Sequence, residues 1–223
     1  MLPRPVEAVI FDMDGLLVDS EVMFRDCMNH VAALYGRDLP DSVFLRMVGL
    51  PGPVSRGIAI DHFGADFPID EFNEAVWNHA RTRHEAGVPL KTGVVELLDH
   101  LDQAGLPRAV ATSSSHAVVA LQLGRNGILP RFQSVVAAGD YARGKPHPDP
   151  FLTAASRLAI DPARCLALED SHNGVRAAQA AGMMVIMVPD LLEATDEMQE
   201  LCIAIADSLH EVKTILGAIN PSG

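Results

Sequence analysis

Five short apolar runs, VEAVIF (6–11), RAVAT (108–112), SVVAA (134–138), RCLALE (164–169) and MVIMVP (184–189), are continuous rather than alternating. A strand with one wet face alternates apolar and polar residues, whereas a parallel strand covered on both faces reads as an unbroken apolar run. Between the runs lie segments of helical period, GVVELLDHLDQAG (93–105), SHAVVALQLGRNG (115–127), DPFLTAASRLAI (149–160) and SHNGVRAAQAAG (171–182). Several close on a glycine suited to a helix C-terminus. The alternation implies the α/β class: a doubly wound parallel sheet, a Rossmann-like core.

Residues 20–87 break this rhythm. No strand run occurs there, and the apolar positions follow helix spacing, so a small helical cap domain is expected at 20–87, with the core formed by 1–19 and 88–223. Its first helix would place Met23, Cys27, Val31 and Leu34 or Tyr35 on one face and end near Gly36. Its last would run through DEFNEAVWNHARTRHEAG (70–87). Two crossings would join this insert to the core and could act as hinges.

The chain's 223 residues can bury a sizeable core. Its 29 acidic and 17 basic residues give a net charge of -12, which repels nucleic-acid backbones and anionic lipid. Cys27, Cys165 and Cys202 lie far apart and suggest neither disulfides nor a paired-cysteine zinc site. No segment approaches the roughly 20 apolar residues that span a bilayer, and MLPRPVEAV lacks a signal-peptide core. A reducing, cytoplasmic setting is expected, with no nucleic-acid or membrane partner. Oligomeric state is not legible.

Ligands of open parallel sheets settle beyond the carboxyl ends of the strands. Those ends carry Asp12 and Asp14, then Thr112, Ser113 and Ser114, then Lys145 in the loop after the third run, then Glu169 and Asp170. A single acid there is an ordinary helix cap or turn former. A set of four is not, because two like charges about 4 Å apart cost on the order of 4 kcal/mol at an effective dielectric near 20. Hard oxygen donors with one lysine suit Mg²⁺ and a substrate phosphate.

The segments DMDG (12–15), ATSS (111–114), GKPHPDPF (144–151) and LEDSHNGVRAAQAAG (168–182) resemble the four motifs of the haloacid dehalogenase superfamily. The branch they resemble carries a helical cap after the first motif and holds phosphoglycolate phosphatases, sugar phosphate phosphatases and β-phosphoglucomutases. The resemblance implies a Mg²⁺-dependent phosphatase acting on a small phosphorylated metabolite through an aspartyl phosphate. Asp12 would be the nucleophile and Asp14 the acid and then base. Thr112 and the Ser113 backbone would hold a phosphoryl oxygen, with Lys145 balancing charge. Asp12, Asp170 and the Asp14 carbonyl would ligate the metal, with Glu169 supporting its waters or orienting Lys145. Gly15 fits the sharp turn beyond the first strand. Leu16, where Thr or Val is common, and Thr92, where Pro is usual, depart from the pattern without touching the chemistry.

A mutase uses the same nucleophile but must also grip a distal phosphate from the cap. Phe24 stands where β-phosphoglucomutases have a cap histidine, Gly52 about where they have a gripping arginine, and Arg56 lies near but out of register. A non-catalytic phosphate-binding regulator could dispense with Asp12 or Asp14, and both are present. Arg46, Arg56 and Arg81 are candidate anion anchors, and the loops VGLPGPVSRGI and WNHARTRHEAG are expected to set specificity. Asp140 is read as a structural turn, and His116, His147 and His172 as rim residues. The methionines of GMMVIMVP and EVMFRDCM are read as core, and DLLEATDEMQE (190–200) as a solvated loop and helix face.

Overall fold

The computed structural model of the chain describes residues 3–48, 50 and 52–217. The ends of the expected core, and Gly49 and Pro51 within one expected specificity loop, lie outside the described residues. The five apolar runs form β1 (Ala8–Phe11), β2 (Arg108–Ala111), β3 (Ser134–Val136), β4 (Cys165–Glu169) and β5 (Met184–Met187). A sixth strand, β6 (Ala204–Ile205), has two half-buried residues, too few for a pattern to reveal. All neighbours pair in parallel, in the order β3-β2-β1-β4-β5-β6.

The unbroken apolar runs are explained by the two layers of helices. In β1, Val9 and Phe11 join one core while Ala8 and Ile10 join the other. The first core also takes α5 (Val94–Gln103), α6 (His116–Arg125) and α10 (Leu209–Gly217). The second takes α7 (Asp149–Leu158), α8 (His172–Ala180) and α9 (Asp196–Leu201). The second layer is rich in alanine, which lets α7 and α8 approach the sheet closely. Not every helix stops on glycine: α7 ends on Ala159 in the left-handed region, at φ 58°.

Between β1 and α5 lie α1 (Ser20–Leu34), α2 (Asp41–Phe44), α3 (Gly52–Phe63) and α4 (Ile69–Ala86), with no strand among the described residues. Met23, Cys27 and Val31 of α1 are buried as the spacing predicts; of the two alternatives for the next position, Leu34 is 72 % exposed while Tyr35 packs against Phe67 and Phe72, and the chain turns through Gly36 at φ +64°. Phe63, Phe67 and Phe72 stack together inside the insert.

The two crossings run side by side. Val18 and Leu90 form an antiparallel bridge, Asp19 N–H donates to Pro89 C=O at 3.0 Å, and Lys91 N–H donates to Leu17 C=O at 3.0 Å. Lys91 Nζ then reaches Asp190 at 2.5 Å and Asp19 at 3.6 Å. Asp190 therefore departs from the expected solvated stretch. Its side chain is 7 % exposed because the lysine pulls it inward, while most of residues 191–200 lie at the surface as expected. Among the described residues, no helix is long and apolar enough to cross a membrane.

Candidate active site

The strand order reverses direction at β1 and β4, so the carboxyl ends of β1, β2 and β4 open on one crevice. Asp12 follows β1 directly, its N–H bonded to Leu168 C=O at 3.0 Å. The chain then folds back on itself: Gly15 N–H donates to Val18 C=O at 2.9 Å, with Gly15 at φ +81°. A Cβ there would stand 2.3 Å from Asp170 Oδ2, so only glycine admits Asp170 to the crevice.

Three carboxylates, Asp12, Glu169 and Asp170, bring oxygen atoms within 4.8 Å of one another, all buried. Lys145 Nζ donates to Asp12 Oδ1 and, at 2.5 Å, to Glu169 Oε1, and it lies 5.1 Å from the Phe151 ring centroid. Glu169 is fully buried and its other oxygen accepts from the N–H and Oγ of Ser171. That leaves Asp12 and Asp170 with open coordination capacity. Three carboxylates and one ammonium carry a formal charge of about -2, so a divalent cation would balance the set, and the all-oxygen donors suit a hard ion.

Burial sets the titration here. It raises Asp12 from 3.8 to about 8, a rise that Lys145 opposes and Glu169 and Asp14 reinforce. Asp170 is likewise driven well above the carboxylate range by burial and then by Asp12. Burial draws Lys145 down, but Asp12 and Glu169 outweigh it and hold the ammonium above its ordinary range. Glu21, at the start of α1, is raised from 4.5 to about 7 by burial, with Asp14 and Asp190 adding to it.

Asp14 has different surroundings. One oxygen accepts from Ser20 Oγ at 2.8 Å, the other from Ser114 Oγ at 2.7 Å and Thr112 Oγ1 at 3.3 Å. Thr112 is buried and also accepts from Ser114 N–H at 3.0 Å, while Ser113 is exposed at the crevice. Ser115 caps α6, which leaves Thr112, Ser113 and Ser114 for the crevice.

A cavity of about 870 Å³ joins these residues to the insert, whose α1, α3 and α4 contribute Phe24, Arg56 and Trp77 to its wall. Arg46 and Arg81 are exposed and are not among the described residues lining it; Arg81 donates to Asn78 instead. Met23 and Met28 do pack in the core, yet they also face this cavity, a role their period did not distinguish. Asp140 is structural, accepting from Ala137 N–H, Arg157 and His116, which hold its carboxyl well below the usual range. His116 and His147 are exposed, and His172 is half-buried with Nε2 2.9 Å from Glu193 C=O.

Two further residues of the site are not singled out by the sequence reading, although His84 falls within the expected specificity segment at 77–87. His84 lines the cavity with Nδ1 buried and unpartnered, and burial lowers its pKa. Gly174 had a visible mark, a glycine inside a helical pattern. A Cβ there would sit 1.9 Å from Glu169 Cδ, so Gly174 is what lets Glu169 pack beneath α8.

The model of the haloacid dehalogenase-like hydrolase family matches residues 9–188, most of the chain. The chain belongs to the haloacid dehalogenase-like hydrolases. Hexitol phosphatase B of Escherichia coli is 33 % identical over 228 residues, covering 96 % of this chain and 99 % of that one. The bifunctional riboflavin kinase/FMN phosphatase of Arabidopsis thaliana is 32 % identical over 195 residues, covering 87 % of this chain. This chain spans 51 % of that longer protein. A crystal structure of a candidate β-phosphoglucomutase from Thermotoga maritima superposes with a TM-score of 0.80 at 26 % identity, covering 96 % of this chain and 100 % of that one. The haloacid dehalogenase-like fold thus extends over the helical insert as well as the sheet.

Proposed function

We propose that this chain is a Mg²⁺-dependent phosphatase of small phosphorylated metabolites, working through an aspartyl phosphate on Asp12. Family membership and its phosphatase relatives make it a phosphoric monoester hydrolase. The observation that carries the mechanism is the contrast between two acids on one loop. Asp12 lies in a carboxylate cluster bridged by Lys145, whereas Asp14 is held by three hydroxyls.

A carboxylate oxygen of Asp12 attacks phosphorus as the bond to the leaving oxygen breaks, and Asp14 delivers the proton that oxygen needs. Water then attacks the aspartyl phosphate, Asp14 takes its proton, and phosphate leaves with Asp12 restored. Lys145, Thr112 and the Ser113 N–H position the phosphoryl oxygens and offset their charge. Asp12, Asp170 and the Asp14 carbonyl would hold Mg²⁺, which neutralises the carboxylates and the phosphoryl group; Glu169 orients Lys145. Residues 20–87 act as a cap over a core of 1–19 and 88–223, excluding bulk water.

The β-phosphoglucomutase alternative is weaker, since Phe24 and Gly52 offer no grip for a distal phosphate and Arg56 is held by Asp70 at 2.6 and 3.1 Å. Release of phosphate from a metabolite panel, dependent on Mg²⁺ and reduced at least about a thousandfold by Asp12→Asn, is the expected result. Full activity in that variant rejects the assignment, and conversion of β-glucose 1-phosphate to glucose 6-phosphate without phosphate release restores the mutase.

A further inference from the structure

The two walls of the 870 Å³ cavity differ in chemistry. The core wall is polar, ending at Asp12, Lys145 and Asp170. The insert wall is largely apolar, with Met23, Phe24, Met28, Phe44, Met47 and Trp77, and a polar minority that includes Glu21, Arg56, Asn73 and His84. The rings of Phe24 and Trp77 stand 5.2 Å apart at 49°, and Trp77 is left 63 % exposed beside the opening. A large exposed aromatic next to methionines, which adapt their shape at little cost, is a surface built to receive a flat apolar group. A phosphoester of two or three carbons would leave most of this volume empty.

Charge narrows the choice further. Among the described residues of the insert wall, the basic side chains are Arg56 and His84. Both terminal nitrogens of Arg56 are bonded to Asp70, and burial disfavours the charged form of His84. A second phosphate or a carboxylate carried into that wall would have to displace Asp70 from Arg56 to find a cation, a competition a ring does not face.

We infer that the substrate is a monoester with a single phosphate whose alcohol carries a planar aromatic ring, seated against Phe24 and Trp77. This rests on the phosphatase reading above. The test compares uridine 5′-monophosphate, 2-phenylethyl phosphate and ribose 5-phosphate, all esters of unactivated primary alcohols, with fructose 1,6-bisphosphate as the doubly anionic probe. The two ring-bearing esters should show kcat/KM about tenfold or more above the other two. Trp77→Ala should raise KM for them about tenfold, equivalent to about 1.4 kcal/mol, while ribose 5-phosphate changes less than about twofold. Equal or better turnover of ribose 5-phosphate, or a Trp77→Ala effect common to all esters, overturns the inference. Binding to Asp12→Asn, read by quenching of Trp77, the chain's single tryptophan, separates the two claims. Ring-selective quenching without turnover in the parent sinks the phosphatase reading alone, and quenching by ribose 5-phosphate equal to that by the ring esters sinks this one.

Discussion

Lys91 Nζ lies 2.5 Å from Asp190 Oδ1 and ties the second crossing to the loop after β5. The other oxygen of Asp190 is buried and has no hydrogen bond, so the lysine is what compensates this carboxylate. Lys91→Met should cost about 3 kcal/mol, the penalty for orphaning a buried charge. In a chain of this size that lowers Tm by about 9 °C, measurable by calorimetry. The folded pKa of Lys91 is raised above 10.5: burial opposes the charge, but its bonds to Asp190 and Asp19 prevail. The contribution is therefore whole below that pH and disappears as pH climbs through the folded value, where parent and variant should converge.

The carboxylate cluster predicts a pH profile for the metal-free protein. Asp12 and Glu21 titrate at about 8 and about 7 when folded, against 3.8 and 4.5 otherwise. Between those values the folded chain retains protons that the unfolded chain has lost, so stability falls as pH rises. With a chelator present, Tm should decline from about pH 5 to about pH 8, and magnesium should flatten the slope. A level profile under chelation would contradict the electrostatic account of the cluster.

Gly174→Ala should disable the site without touching any reacting group. Its Cβ would overlap Glu169, which is fully buried and can yield only by shifting against its partners. Overpacking of this kind costs about 1–3 kcal/mol. Activity should fall more than stability does, because Glu169 moves with Lys145 attached. Parallel melting curves and phosphate-release assays check this.

Asp70→Asn should release Arg56 toward the cavity. Asp70 is largely exposed, so stability should change by less than about 1 kcal/mol. The readout is selectivity: KM for a sugar bisphosphate should drop severalfold, with little change for a monophosphate.

The sheet and its site were legible because each rests on contiguous signals. Unbroken apolar runs mark β1 to β5, and the acids and hydroxyls fall just past their ends, with the lysine further along the loop after β3. What escaped depends on contacts between distant segments. Lys91 and Asp190 are 99 positions apart, so Asp190 read as part of a solvated stretch and nothing marked Lys91 as its partner. Trp77 and His84 fall in the segment expected to set specificity, but they share a helix with ordinary surface residues, and only the packing of the insert picks out which side chains face the crevice. Periodicity left Leu34 and Tyr35 as alternatives, which only the packing of Tyr35 on Phe67 and Phe72 decides, and β6 is shorter than any repeat.

Asp19 and Pro89 are hydrogen-bonded neighbours although 70 positions separate them, so the insert leaves and rejoins the core through one narrow neck, beside which α4 also packs on α6. Such a neck makes the module transplantable. Splicing Val18 to Leu90 through a short glycine turn would take Ser20 from Asp14 and bare the apolar side chains the insert covers, so phosphate release should vanish with the deletion and return only when the corresponding segment of a relative is grafted at the same two points.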